Sequence, residues 1–137
     1  MKNILILLMG GVGGVLSLMF GGFDDAMITL LIFLTIDFIS GLITAGVFKK
    51  SNKTPTGGLS SSYGVKGLAK KGLELMIVVI AVRLDKTTGL NYFRDCTIFA
   101  ICTNELISII ENLGLCGVPV PNVIKKAIDV LNERIEP

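Results

Sequence analysis

The strongest constraint on this chain is an uncharged run: from Asn3 to Phe23 no residue carries a charge, 21 positions in all. A helix rises about 1.5 Å per residue, so roughly 20 apolar residues cover a hydrocarbon core of about 30 Å. The run therefore predicts a first membrane span over about residues 4–23. A cleaved signal peptide is the competing reading, because Lys2 followed by Ile4 to Leu8 supplies a charged start and an apolar core. Against it, Gly21-Gly22-Phe23-Asp24-Asp25 offers no clear small-x-small cleavage site, and further apolar segments follow.

Asp24 and Asp25 punctuate the chain, and either can cap the next helix by accepting from its free N–H groups. Residues 26–48 are broken only by Asp37 and predict a second span, long enough to cross with some tilt. Residues 49–71 hold Pro55, four glycines and Ser60-Ser61-Ser62, and read as a loop without apolar period. This loop carries Lys49, Lys50, Lys53, Lys66, Lys70 and Lys71 and no acid. Residues 72–90, built around Leu75 to Val82, predict a third span, although Glu74 and Arg83 must then snorkel or face protein. Residues 94–113 predict a fourth, with Asn104, Glu105, Ser108 and Glu111 embedded in it. Pro119 and Pro121 stop it. In residues 121–134, Val123, Ile124, Ala127, Ile128 and Leu131 lie opposite Asn122, Lys125, Lys126, Asp129 and Glu133. That is an amphipathic helix too polar to span, suited to the membrane surface or to a neighbouring helix. The expected fold is an all-α integral membrane protein: one membrane domain over residues 1–137, with about four transmembrane helices and a short C-terminal amphipathic helix.

Composition narrows function mainly by exclusion. Hydrophobic types make up 51% of the 137 residues, and charged residues fall to 18% against about 25% in soluble domains. There is no His, which removes the Ser-His-Asp triad, the Cys-His dyad and His-ligated metals together, so no enzyme is expected. Cys96, Cys102 and Cys116 are odd in number and 6 and 14 positions apart, which draws neither a metal pair nor a disulfide framework. No cofactor or metal is implied. A net charge of +2 without a basic stripe interleaved with aromatics gives no reason to expect nucleic acid. The position of the charge is more telling: six Lys and no acid in the second loop, against two Asp and no base in the first. The positive-inside rule then puts the second loop in the cytoplasm. Four spans make a multi-pass protein with both termini cytoplasmic.

Charged groups inside a bilayer cost at least about 2.5–3.5 kcal/mol each, so the intramembrane acids need partners or water. Asp37, Ser40, Gly41 and Thr44 fall at i, i+3, i+4 and i+7, one polar, small-residue face on the second span. Thr97, Asn104, Ser108 and Glu111 draw a second stripe along the fourth, with Glu105 beside it. These stripes bond helix to helix within a unit, bond copy to copy, or line water once copies assemble; sequence alone leaves the three open. Gly10 and Gly14 form a GxxxG pair and Gly41 with Ala45 a second small-xxx-small pair, both signatures of close helix contact.

Four motifs then occur in order. They are Asp37-Phe38-Ile39-Ser40-Gly41-Leu42; Leu59-Ser60-Ser61-Ser62 with Gly64, Lys66, Gly67 and Lys70-Lys71; Asn104-Glu105 with Ser108-Ile109 and Glu111-Asn112; and Gly117-Val118-Pro119-Val120-Pro121. Together, from about Ile36 to Leu131, the chain resembles the toxin-secretion/phage-lysis holin family. The resemblance implies a small protein of the bacterial cytoplasmic membrane that forms homo-oligomers and permeabilises that bilayer at a set time. It further implies release of a cell-wall-degrading endolysin or, in clostridial relatives, a large secreted toxin. The family supplies no catalytic residues to carry over. Two other classes fit a short chain of four spans: a small proton-coupled transporter with a buried carboxylate, and a membrane scaffold without a pore. The transporter lacks support in an acid-free first span and in the absence of Trp to stack on a cation.

Overall fold

The computed structural model describes residues 1–135, which fold into five helices with no strand among them. They are α1 (Lys2–Phe20), α2 (Asp25–Gly46), α3 (Ser61–Thr88), α4 (Phe93–Leu115) and α5 (Asn122–Ile135). Three of them, α1, α2 and α4, are long and apolar enough to cross a membrane by length and composition. α3 is not among these three, so three of the four expected spans have candidate helices, and the third expected span falls on a helix more polar than the others.

The centre of the fold is a seam between α2 and α4, which run parallel. On α2 the seam positions are Met27, Leu30, Leu34, Asp37, Gly41 and Thr44, alternating steps of three and four. On α4 they are Ile98, Cys102, Glu105, Ile109, Asn112 and Cys116, with the same alternation. That heptad spacing keeps one stripe of each helix turned toward the other along its whole length. The seam is apolar at one end, where Met27, Leu30, Leu34, Ile98, Ile101 and Cys102 bury one another with Val78 of α3. It is polar at the other.

α3 starts at Ser61 and takes in the last eleven residues of the segment read as loop, so Lys66, Lys70 and Lys71 sit on a helix and not in a solvated connection. Gly64, Gly67 and Gly72 lower helix propensity there and leave no apolar period to read. Contacts between helices therefore hold this stretch, and Lys71, only 9% exposed, is their focus. The remaining connection spans residues 47–60. α5 turns back after Gly117 and packs along α4, where the Arg134 guanidinium lies 5.6 Å from the centre of the Phe99 ring. α1 buries none of its residues and stands free for most of its length.

Arg94 ties together the end at which α1 passes to α2. Its Nε donates to the Phe20 carbonyl at 2.7 Å and its Nη2 to the Gly22 carbonyl at 3.1 Å, while Nη1 and Nη2 each donate to the Asp24 carboxylate at 2.9 Å. A planar fork is suited to such bidentate pairing. Asp24 in turn caps α2 by accepting from Met27 N–H at 3.0 Å. Gly21 closes α1 with φ of 73°, and a Cβ there would lie 2.9 Å from Arg94 Nε, so both backbone and space call for glycine. Asp85, at the end of α3, accepts from the backbone N–H groups of Tyr92, Phe93 and Arg94 and so starts α4.

The hydrogen bonds from Arg94 hold the Asp24 carboxyl below the usual carboxylate range. A depressed folded-state pKa contributes stability that is full above the unfolded value of about 4 and lost as pH falls through the folded value. Asp24→Asn should therefore lower the melting temperature of the detergent-solubilised protein near neutral pH. The gap from the unaltered chain should close toward about pH 2. Circular dichroism melts across that range check this, and a gap that stays constant with pH would remove the ionic contribution.

Candidate functional site

The polar end of the α2–α4 seam holds an ionic network built by three helices. Asp37 projects from the α2 seam at 7% exposure and Glu105 from the α4 seam at 3%. Between them α3 inserts Lys71, whose Nζ donates to Asp37 Oδ2 at 2.7 Å and also to Glu105 Oε2. Lys53, from the 47–60 connection, donates to Ser108 Oγ at 2.9 Å and lies 3.8 Å from Asp37 Oδ1. Lys70 lies 3.7 Å from Glu74 one turn along α3, and Glu74 Oε2 is buried with no hydrogen-bond partner among the described residues. Three carboxylates (Asp37, Glu74, Glu105) thus meet three ammonium groups (Lys53, Lys70, Lys71), and the set sums to zero charge.

A second layer follows toward the ends of α2 and α4. Asn112 Nδ2 donates to Ser40 Oγ at 2.9 Å and, at 3.4 Å, to Asp37 Oδ1. Thr44 Oγ1 donates back to the Ser40 carbonyl at 2.7 Å and lies 3.4 Å from the Asn112 carbonyl and 3.3 Å from Cys116 Sγ. Gly41 packs against this layer, where a Cβ would make only an ordinary contact with Asn112 Nδ2 at 3.7 Å, and Ala45 is buried beside it. A pocket of about 240 Å³ opens next to the network, with Lys53, Lys70 and Asn104 on its polar wall and Leu42, Leu59 and Tyr63 on its apolar wall.

The structure thus brings together Asp37, Ser40, Thr44, Glu105 and Ser108, with Gly41 and Ala45 at the same helix contact. Glu111 stays outside this group on the exposed face of α4, and Asn104, also exposed, reaches only the wall of the adjoining pocket. Gly10 and Gly14 meet nothing within 4 Å. Lys49, Lys50 and Lys66 remain exposed, whereas Lys53, Lys70 and Lys71 turn toward the carboxylates. Sequence spacing missed Lys71 as a partner, because 34 residues separate it from Asp37 and another 34 from Glu105. The signal present was indirect: buried acids on two apolar helices demand a cation, and the basic segment between those helices is the nearest source. Chemically the network fastens helices and neutralises charge. Among the described residues no group of three or more His, Cys, Asp or Glu side chains could hold a metal ion.

Comparison with known proteins brings in relatives across nearly the whole chain. The bacteriophage holin family profile matches residues 14–133. An uncharacterised 14.9 kDa protein of Clostridium perfringens, from the nagH 3' region, is 34% identical over 98% of this chain and 99% of its own. A protein of Bacillus phage phi105 described as "Probable holin" is 33% identical over 78% of this chain and 72% of its own. "Holin-like protein TcdE" of Clostridioides difficile is 26% identical over 87% of this chain and 79% of its own. No solved structure matches significantly.

Removing one partner from a buried ion pair strands the other, at about 3–5 kcal/mol. Lys71→Met, which leaves Asp37 and Glu105 facing each other, should lower stability by that order. The triple change Asp37→Asn, Lys71→Met, Glu105→Gln should recover most of the loss, because no charge is then left unpaired. Denaturant unfolding in detergent reads both, and a Lys71→Met protein as stable as the parent would show that the network carries no weight.

Proposed function

Because this chain belongs to the bacteriophage holin family, we propose that it permeabilises the bacterial cytoplasmic membrane by assembling into homo-oligomers, opening a route for an endolysin or a large secreted toxin. The match over residues 14–133 carries this reading, since it spans the polar network, the exposed face of α4 and α5 together. A proton-coupled transporter needs a carboxylate free to exchange protons; Asp37 and Glu105 are committed to Lys71, and Glu74 is paired with Lys70 through its other oxygen.

In the proposed topology α2, α3 and α4 cross in alternation, with α1 before them; the N-terminus, the 47–60 connection and the α4–α5 connection lie in the cytoplasm, and α5 runs back from there along α4. Lys71 and Glu74 burden α3 as a span by themselves. Partners on α2 and α4 offset Lys71, and Lys70 with its long stem can snorkel toward the headgroups. Arg94 supports the same arrangement, because the α1–α2 and α3–α4 turns meet at one end of the helices, opposite the lysine-rich connection.

The polar residues divide into two roles on this reading. Asp37, Ser40, Thr44, Glu105 and Ser108 bond helices within one copy, and Asn104 and Glu111 face outward to meet water or another copy. Gly10 and Gly14 have room on every side within one copy, so a helix contact there is a contact between copies.

Two measurements test the proposal. In a background without native thiols, a cysteine at Asn91 should react with membrane-impermeant reagent on intact cells before lysis, and one at Asn52 should not; the reverse pattern would overturn the topology. Gly10→Leu with Gly14→Leu should leave helix content and melting unchanged while shifting the crosslinking ladder and the time at which a cytoplasmic reporter enzyme escapes. Expression of the parent chain without any escape of that enzyme would refute permeabilisation itself.

A further inference from the structure

α5 occupies a position that its outward face does not suit if lipid surrounds it. Arg134 lies over Phe99, 16 residues before Leu115, so α5 reaches about 24 Å back along α4 from that end. α4 is long and apolar enough to cross a membrane, and a hydrocarbon core is about 30 Å thick. Asp129, five residues before Arg134, accordingly stands near mid-depth beside a span. Ala127, Ile128 and Leu131 are half-buried on the α4 side. At 3.6 residues per turn, Lys125, Lys126, Asp129 and Glu133 fall within an arc of about 100° on the opposite side, and all four are exposed. Among the described residues none of the four has an ion-pair partner.

Ionised side chains at that depth face a bundle interior or water, not acyl chains. Copies inserted with one orientation set their α5 helices side by side and parallel, so Lys125 and Lys126 form one tier and Asp129 and Glu133 a deeper one. Like charges at the same level repel in a dry contact and are tolerated with water between them.

We propose that the outward face of α5, docked on α4, is the wall that contacts water inside the assembled, permeable form, with Lys125 and Lys126 as one charged tier and Asp129 and Glu133 as the next. This rests on the permeabilising function proposed above and assigns its aqueous surface to α5, leaving the α2–α4 stripes as internal fastening.

The test uses the full chain in vesicles of phosphatidylethanolamine and phosphatidylglycerol, with Cys96, Cys102 and Cys116 replaced by Ala. Phe99→Cys with Arg134→Cys should join under a short, cleavable thiol crosslinker, and the joined protein should keep its dye leakage within about twofold. Failure to join in leaking vesicles, or leakage lost on joining and restored on cleavage, would overturn the proposal. Asp129→Lys with Glu133→Lys should shift the potassium-to-chloride permeability ratio several-fold toward chloride, and Lys125→Glu with Lys126→Glu should shift it toward potassium. Leakage with an unchanged ratio in both variants would overturn the α5 wall while sparing the permeabilising function. Vesicles that never leak with the parent chain would overturn both.

Discussion

The contact of Lys71 with Asp37 and Glu105 is what makes the rest of this arrangement affordable in a membrane. Each of the three charges taken alone would oppose insertion of the helix that carries it. Held together by charge-assisted hydrogen bonds, they remove one another's penalty and fix α2, α3 and α4 at a single depth relative to one another. An apolar contact could slide by a turn at little cost. A lysine gripped from two sides cannot, so the network sets register as well as neutralising charge.

That register explains the division of the α2–α4 seam. Above the network, Met27, Leu30, Leu34, Ile98 and Cys102 pack as any apolar seam would. Below it, Thr44 and Asn112 continue in the same heptad positions but fill them with hydrogen bonds, joined by Ser40 beside the seam. The Arg94 clasp closes the far end by satisfying the carbonyls that α1 leaves open and gripping the residue that caps α2. A three-helix unit results, with α1, which buries no residue, left loosely held and α5 attached along one side of α4 alone.

The permeabilising function proposed for this chain needs surfaces that can change neighbours, and these two helices provide different ones. α1 offers small residues to another apolar helix or to lipid. α5 offers charge, which lipid does not accept. The interior network is complete within one copy apart from Glu74, so permeabilisation on this reading draws on the outer surfaces of the unit and leaves its core intact.

The sequence by itself determined that the chain is helical and belongs in a membrane, because uncharged runs as long as Asn3 to Phe23 have few other stable environments. It also determined the polar face of α2 and the amphipathic character of α5, since both follow from helical spacing within one segment. The start of α3 was not legible: three glycines and a lysine pair hide a helix that only its neighbours stabilise. Nor could spacing tell that Lys71 serves Asp37 and Glu105, or that Ser108 accepts from Lys53 while Glu111 on the same helix stays exposed. Those outcomes depend on which helix lies beside which. Local periodicity encodes the face a residue occupies, and the packing of distant segments alone decides what that face meets.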